Sequence, residues 1–111
     1  MPWVIAVVGS REYPRLDEVR NFVASLPPDV GVISGGAKGV DTAAEEEAKR
    51  CGLSFRLFPA NWKKHGKGAG FKRNKEMYDF CDYAVVFWDG QSKGSACWKD
   101  RPKTQHIWYG G

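Results

Sequence analysis

Glycine-rich turns stand at positions in this chain where a bound anion would need an exposed backbone. Residues 34–39, SGGAKG, hold three glycines in six positions and lead directly into the strongly helix-forming stretch VDTAAEEEAKR. Glycine costs conformational entropy on folding, but it lets a ligand approach the backbone closely. The first turn of a helix has free N–H groups and a partial positive charge, both of which favour phosphate. We therefore predict an anion site at Gly35, Gly36 and Gly39, with an ordinary tight strand-to-helix turn as the alternative.

Polar side chains near these glycines could contact the same ligand. Asp41 lies in the first turn of the predicted helix, where it would either cap the helix or accept a hydrogen bond from a ribose hydroxyl. Arg73, at the predicted start of a later helix, can form a bidentate contact with phosphate. The neighbouring Asn74 shares a helical face with Phe71 and Cys81, so we expect it to point inward and to find partners there.

The segment around residues 62–75 adds an aromatic side chain and a dense cluster of positive charge. The net charge of the chain is +4, and the six lysine and arginine residues from Lys63 to Lys75 occur there without a single acid. We interpret this as a local anion site, because a nucleic-acid-binding surface more often spreads its charge over a face; a solvated basic loop is the alternative. Trp62, in a polar loop beside these lysines, would either close over the core or stack on a nucleobase.

Length and composition bound what the chain can be. Its 111 residues, of which 42% are hydrophobic and 14% aromatic, predict one globular domain spanning residues 1–111. Cys51, Cys81 and Cys97 are odd in number and widely spaced, which is typical of neither a disulfide framework nor a zinc site, so we expect reduced, buried thiols. The sequence carries no export-signal pattern and no apolar run of membrane-spanning length. We therefore predict a cytoplasmic protein without membrane partner, metal or cofactor.

Apolar periodicity predicts alternating strands and helices. The predicted strands are 3–9, 30–34, 53–58 and 83–88, and the predicted helices are 14–28, 40–51 (with Gly52 as its C-cap) and 71–81. Residues 95–105 predict a further helix that Pro102 would break early, and residues 106–109 predict a short edge strand. This alternation predicts a single Rossmann-like, three-layer α/β domain with a mostly parallel sheet of four to five strands.

The predicted topology gathers the unusual residues at one edge of the sheet. Ligands of parallel sheets bind beyond the carboxyl ends of the strands, and the loops after the first, second and fourth predicted strands all leave that edge. The loop after the third strand brings the tryptophan and the lysines there as well. The predicted ligand-binding residues are Gly9, Ser10, Arg11, Gly35, Gly36, Gly39, Asp41, Trp62, Arg73, Asn74, Asp89, Gly90, Gly94 and Ser95.

Four segments together resemble a known family. VVGSR (7–11), ISGGAKGVDTAAEEEAK (33–49), FPANWKKHGKGAGFKRNKEM (58–77) and CDYAVVFWDGQSKGS (81–95) are similar to the SLOG superfamily, and within it to the YspA/YpsA-related branch of small Rossmann-like proteins. The resemblance runs in order over nearly the whole chain. It implies a cleft formed by the residues above. The implied function is that of a sensor or ligand-binding module for a nucleotide or a nucleotide-derived signal, such as an ADP-ribose-like ligand.

The resemblance also implies an enzymatic alternative. The superfamily includes the Lonely Guy phosphoribohydrolases, whose late glycine turn reads Gly-Gly-x-Gly-Thr-x-x-Glu, with a catalytic glutamate and an upstream arginine. Arg73 matches that arginine, but Trp98 stands at the glutamate position, and tryptophan cannot do acid–base work. Glu45 or Glu46 would have to substitute, and we expect both to be solvated. We predict binding without efficient hydrolysis, with an N-glycosidic nucleotide hydrolase as the alternative and no catalytic residue assigned.

A second alternative is a single-stranded nucleic-acid binder like the Smf/DprA DNA-uptake proteins, which share the pattern SGGAKGVD. Trp62 among lysines supports that alternative. The small size of the chain and its locally concentrated charge count against it. Relatives in the superfamily often dimerise, and tryptophans near the C-terminus, if exposed, would allow a homodimer.

Overall fold

The chain forms a five-stranded, fully parallel sheet with helices on both faces. The computed structural model describes residues 3–10, 13–35, 39–88, 98 and 104–109; for residues 62, 67 and 104–109 it describes the backbone alone. The strands are β1 (Trp3–Gly9), β2 (Val30–Ser34), β3 (Ser54–Leu57), β4 (Tyr83–Trp88) and β5 (Thr104–Tyr109). The helices are α1 (Leu16–Ala24), α2 (Val40–Arg50), α3 (Trp62–His65) and α4 (Ala69–Phe80), with a 3-10 turn at Gly66–Gly68.

The order of the strands is that of the first five strands of the Rossmann fold. The sheet runs β3-β2-β1-β4-β5, and every neighbouring pair is parallel. Helices α1 and α2 pack together on one face, and α4 covers the other, which gives three layers. The prediction of a Rossmann-like α/β domain with a parallel sheet is therefore confirmed.

The two central strands owe their position to their continuous apolar runs. Residues 5–8 of β1 and 84–87 of β4 are buried on both faces, as expected for strands in the middle of a parallel sheet. The edge strand β3 is mostly exposed, in agreement with its alternating sequence. Small side chains on α2 let that helix lie close to the sheet, and Ala43, Ala44 and Ala48 are all buried there.

Helix α1 is shorter at both ends than the apolar stripe predicts. It begins at Leu16, so Pro14 lies before the N-cap residue Arg15 and not in the first turn. It ends at Ala24, four residues before the predicted end. The residue before a proline is disfavoured in the helical region, and Leu26 precedes Pro27, so the helix must end earlier. The hydroxyl of Ser25 donates to the Phe22 carbonyl at 2.6 Å and completes the last turn.

Helix α2 ends close to the predicted position. Its last residue is Arg50, its C-cap is Cys51, and Gly52 follows with φ of 75°. Only glycine adopts that left-handed conformation at no steric cost, which accounts for its place just after the cap. Cys51 is exposed, so the prediction that it is a buried thiol is wrong, whereas the prediction for Cys81 is confirmed. Cys97 lies outside the described residues.

The segment predicted as a loop, residues 59–70, contains helical structure. Helix α3 and the 3-10 turn occupy residues 62–68, and α4 begins at Ala69, two residues before its predicted start. Asn61 is the signal that the sequence offered: its Oδ1 accepts a hydrogen bond from the Lys64 N–H at 3.1 Å, as an N-cap side chain does. Arg73 therefore lies in the second turn of α4 and not at its start.

The C-terminal part of the chain adds the last strand. Strand β5 begins at Thr104, two residues before the predicted edge strand, and pairs with β4 through a register shift at Ala84 and Val85. The predicted helix over 95–105 is wrong at its last two residues, and residues 95–97 and 99–103 lie outside the described part.

Trp98 is only 2% exposed, so it offers no surface for a dimer, and the side chain of Trp108 is not among those described. Within the described ranges, no helix is long and apolar enough to span a membrane.

Candidate functional site

The strand order creates a crevice at one edge of the sheet. The chain leaves β1 towards β2 on one side, and β4 lies on the other side of β1, so the strand order reverses between β1 and β4. Ligands of open parallel sheets bind outside the carboxyl ends of the strands at such a point. Ser10 follows β1 at this position, is buried, and donates its backbone N–H to the Phe87 carbonyl at 3.0 Å.

Gly35, the first residue after β2, is held from both faces of the sheet. Its N–H donates to Asp41 Oδ2 at 2.9 Å, and Asp41 belongs to α2 on one face. Its carbonyl accepts a hydrogen bond from Arg73 Nη1, and Arg73 belongs to α4 on the other face. The structure thus brings together three of the predicted site residues at the carboxyl edge of β2.

The guanidinium of Arg73 lies directly against this turn. A Cβ atom built on Gly35 would lie 2.8 Å from Arg73 Cζ, which is closer than real Cβ contacts come, and 3.0 Å from Arg73 Cδ, which is a tight contact. Arg73 Nε donates to Asn74 Oδ1 at 3.1 Å, so the predicted neighbour Asn74 is the second partner of the arginine. Both acceptors are neutral oxygens, and the side chain of Arg73 is half-buried.

The positive charge of Arg73 has no acidic partner in the described part of the chain. Other cations there have one: Arg15, Arg20, Lys49, Arg50 and Lys75 each lie within ion-pair distance of a glutamate or aspartate. A half-buried cation is stabilised by an opposite charge, because burial removes part of its hydration. Two N–H groups of Arg73 are used in the bonds above, out of the five donors of a guanidinium. An anionic ligand would supply the missing charge and acceptors.

The carboxylate of Asp41 accepts a hydrogen bond from one backbone N–H of the turn, that of Gly35. The residue is 4% exposed and sits in the first turn of α2, as predicted. Because its carboxylate accepts the N–H of Gly35, that N–H is not offered to an external phosphate. A phosphate at this edge would therefore meet the guanidinium of Arg73 first. The assignment of Asp41 to a ribose hydroxyl stays a prediction.

Gly9 is required by the packing of α2 against the end of β1. A Cβ atom at Gly9 would lie 2.7 Å from Val40 Cγ2 and 2.8 Å from Val40 Cβ. Val40 is the first residue of α2 and is buried, so it cannot move aside. Gly9 thus lets the helix that carries Asp41 begin close to the strand end. Gly39, which precedes Val40, is the N-cap residue of α2. Its φ of 80° is a backbone conformation that favours glycine.

Replacing Gly9 by alanine is expected to lower the free energy of unfolding by about 1–3 kcal/mol, the usual cost of overpacking. The matched control is Gly68→Ala, because Gly68 has φ of −81° and open space around it. That substitution should be neutral or stabilise by up to about 1 kcal/mol. Denaturant unfolding of both variants measures the difference. Equal stability of the two variants would show that Gly9 is not a packing requirement.

Lysines of the basic segment are exposed on α3 and α4. Lys63, Lys64 and Lys72 are exposed and, among the described residues, have no ion-pair partner. Trp62 begins α3, so the prediction that it lies in a loop is wrong. Phe71 is 56% exposed, and the prediction that it faces inward is wrong as well. Helix α4 buries Ala69 and Met77, a stripe that leaves Phe71 on the outside.

The carboxylates proposed as substitutes for a catalytic glutamate point elsewhere. Glu45 pairs with Lys49 at 2.7 Å, and Glu46 pairs with Arg20 of α1 at 2.8 Å. Both ion pairs are partly or largely exposed. Trp98 is a core residue and contacts Tyr78 edge-on, with 6.3 Å between the ring centroids.

Several predicted site residues lie outside the described part of the chain. These are Arg11, Gly36, Asp89, Gly90, Gly94 and Ser95. Within the described ranges, no three histidine, cysteine, aspartate or glutamate side chains form a group that could hold a metal ion.

Comparison with known proteins assigns this chain to no family, so its classification rests on the fold alone. No protein-family model matches it, and neither a curated protein nor a solved structure does. The strand order and the three layers establish a small Rossmann-like α/β domain with a parallel sheet.

Proposed function

We propose that this protein binds a nucleotide or a nucleotide-derived ligand at the carboxyl edge of its sheet, as a sensor or ligand-binding module. The observation that carries the proposal is Arg73. Its half-buried guanidinium, without a carboxylate partner among the described residues, is fixed at the turn after β2. This turn lies one strand away from the reversal of strand order at β1 and β4, where Rossmann-like sheets bind their ligands.

A phosphate group fits the chemistry of this arrangement. Arginine presents a planar fork of donors that matches two oxygens of a phosphate, and its charge makes those hydrogen bonds about twice as strong as neutral ones. Exposed lysines at Lys63, Lys64 and Lys72 raise the local concentration of anions without fixing their orientation. The resemblance to the SLOG superfamily, and to its YspA/YpsA-related branch, supports the nucleoside part of the ligand.

The proposal is tested by calorimetric titration with AMP, ADP-ribose and adenosine in a phosphate-free buffer. We expect both phosphorylated ligands to bind more tightly than adenosine, by at least about tenfold, because one charge-assisted hydrogen bond contributes about 1.5–3 kcal/mol. Native mass spectrometry of the purified protein provides an independent search for a co-purifying ligand. Equal affinities for adenosine and AMP would show that the protein does not recognise the phosphate group, and would contradict the proposed phosphate site.

Hydrolysis of the ligand is expected to be slow or absent. Positioned acid–base groups contribute typically 10²–10⁴-fold to such reactions. Trp98 is buried in the core, and Glu45 and Glu46 are held in ion pairs with Lys49 and Arg20. Incubation with AMP, followed by chromatography for free adenine, should reveal no rapid turnover. Multiple turnovers per second, lost in Glu45→Gln or Glu46→Gln, would make the nucleotide hydrolase the better account.

One observation favours a single-stranded nucleic acid as a second candidate ligand. Phe71 exposes its ring beside Lys72 on α4, and exposed aromatics among cations are stacking platforms for bases. We nevertheless expect a fluorescent oligonucleotide to bind weakly, with an affinity that falls steeply when the salt concentration is raised from about 50 mM to about 200 mM. Tight binding at the higher salt concentration, lost in Phe71→Ala or Trp62→Ala, would place nucleic acid above a small nucleotide.

A further inference from the structure

The Gly35 turn connects two helices that lie on opposite faces of the sheet. Asp41 approaches from α2 and takes the Gly35 N–H, while Arg73 approaches from α4 and donates to the Gly35 carbonyl. The residue between them is a glycine, whose backbone has more conformations available than any other. Its N–H and its carbonyl belong to successive peptide groups, so the bond to Asp41 anchors the turn on one side of the Gly35 Cα and the bond to Arg73 is made on the other side.

We propose that Asp41 is a positioning residue for Arg73. By holding the N–H of Gly35, its carboxylate anchors the turn that carries the carbonyl to which the guanidinium is bonded, and so helps to keep the guanidinium at the carboxyl edge of the sheet. That Asp41 serves ligand binding in this way rests on the proposed function. The structural statement, that Asp41 sets the orientation of Arg73, stands without it.

The geometry distinguishes this role from simple helix capping. A capping aspartate bonds to N–H groups in the first turn of its own helix. The carboxylate of Asp41 also reaches back six residues to the Gly35 N–H, at 2.9 Å, which a cap of its own helix does not require. The carbonyl of Gly35 is the acceptor that ties Arg73 to another element, since Asn74 is its sequence neighbour. Loss of the Asp41 bond should therefore release Arg73 while α2 itself persists.

The orientation of Arg73 can be followed by ¹⁵N NMR of the free protein. A bonded guanidinium rotates slowly about its Cζ–N bonds and gives separate Nη signals, whereas a released one gives an averaged signal. We expect separate signals in the wild type and in Asp41→Asn, whose amide oxygen can still accept the Gly35 N–H. We expect an averaged signal in Asp41→Ala. Unchanged Arg73 signals in a folded Asp41→Ala variant would overturn the proposal.

The asparagine variant keeps the test decisive if the alanine variant does not fold. An amide is a weaker acceptor than a carboxylate, so the Gly35 N–H resonance should shift in Asp41→Asn. The Arg73 guanidinium resonances should shift with it, because the two groups are joined through one residue. A shift at Gly35 with none at Arg73 would contradict the positioning role.

AMP affinity supplies the readout that a purely structural role would not change. Asp41→Ala should weaken AMP binding by about tenfold, leave adenosine binding nearly unchanged, and have no further effect in an Arg73→Ala background. Independent effects of the two substitutions would overturn the inference and leave the proposed function intact. A wild-type protein that binds AMP and adenosine equally would contradict the proposed function instead, while the NMR result would still decide the role of Asp41.

Discussion

Arg73→Ala is expected to weaken AMP binding by roughly 10- to 150-fold and to leave adenosine binding nearly unchanged. The substitution removes a charge-assisted hydrogen bond to phosphate, which contributes about 1.5–3 kcal/mol. The cation that is lost is half-buried at the Gly35 turn and has no carboxylate partner in the described residues, so little else compensates for it. Calorimetry with both ligands measures the effect.

The matched controls for Arg73 are neighbouring cations with the same sign of charge. Lys72→Ala changes the preceding residue of α4, and Lys63→Ala changes the exposed surface of α3. Each should weaken AMP binding by less than about fivefold, because exposed charges are screened and contribute up to about 1 kcal/mol. If Lys63→Ala weakens binding as much as Arg73→Ala, the phosphate lies over α3 and the placement of the site is wrong.

The largest effect on stability is expected for Phe87→Ala, at about 3–5 kcal/mol. Phe87 is fully buried in β4 and packs edge-on against Tyr13 and Phe22, with ring centroids 5.5 Å and 6.0 Å away. The substitution removes these contacts and leaves a cavity between the sheet and α1. Since a domain is stable by about 5–15 kcal/mol, the loss is a large part of the total. Denaturant unfolding monitored by circular dichroism measures it.

Phe71→Ala is the control for that experiment, because the chemical change is identical and only the surroundings differ. Phe71 is exposed on α4, where alanine is the better helix former. The free energy of unfolding should change by less than about 0.5 kcal/mol. A comparable loss in both variants would mean that α4 is turned differently on the sheet, with Phe71 inside.

The strands could be predicted because their signal is local and redundant. The run WVIAVVG gave the bounds of β1, and YAVVFW gave those of β4, because a strand buried on both faces admits only apolar residues. The parallel sheet could be predicted from the alternation of strands with helices, whereas the order of the strands was not predicted. The apolar runs and the alternation of elements involve many residues at once, so an error at one residue does not change the predicted fold.

The residues at which helices begin and end, and the side of α4 that packs against the sheet, were less predictable. Where α1 ends depends on Pro27. Asn61 caps the short helix α3, so part of the segment predicted as a loop is helical, and α4 begins at Ala69 after its N-cap residue Gly68. Spacing alone shows which side chains of a helix share a face, but not which of its faces packs on the sheet. The face with Phe71 was predicted to be buried, whereas α4 buries Ala69 and Met77.

The candidate site was predictable in its place but not in its connections. The glycines and Arg73 were expected at the carboxyl edge of the sheet, and Gly35 and Arg73 do meet there. That Asp41 and Arg73 share Gly35 depends on how α2 and α4 flank one turn, which is a tertiary property with no signature in spacing. The sequence also suggested an exposed tryptophan near the C-terminus, but Trp98 fills the core.

The place of ligand binding is tested most directly by NMR titration of the ¹⁵N-labelled protein with AMP. We expect the largest shifts in the guanidinium of Arg73, and smaller shifts in the backbone N–H groups of Ser10 and Gly35, which lie at the same edge but already donate to Phe87 and Asp41. The opposite edge, where Val4 and Asp82 exchange hydrogen bonds of 2.6 Å and 2.8 Å, serves as the internal control and should not respond. Saturable shifts confined to that opposite edge, or no shift at millimolar AMP, would contradict the account.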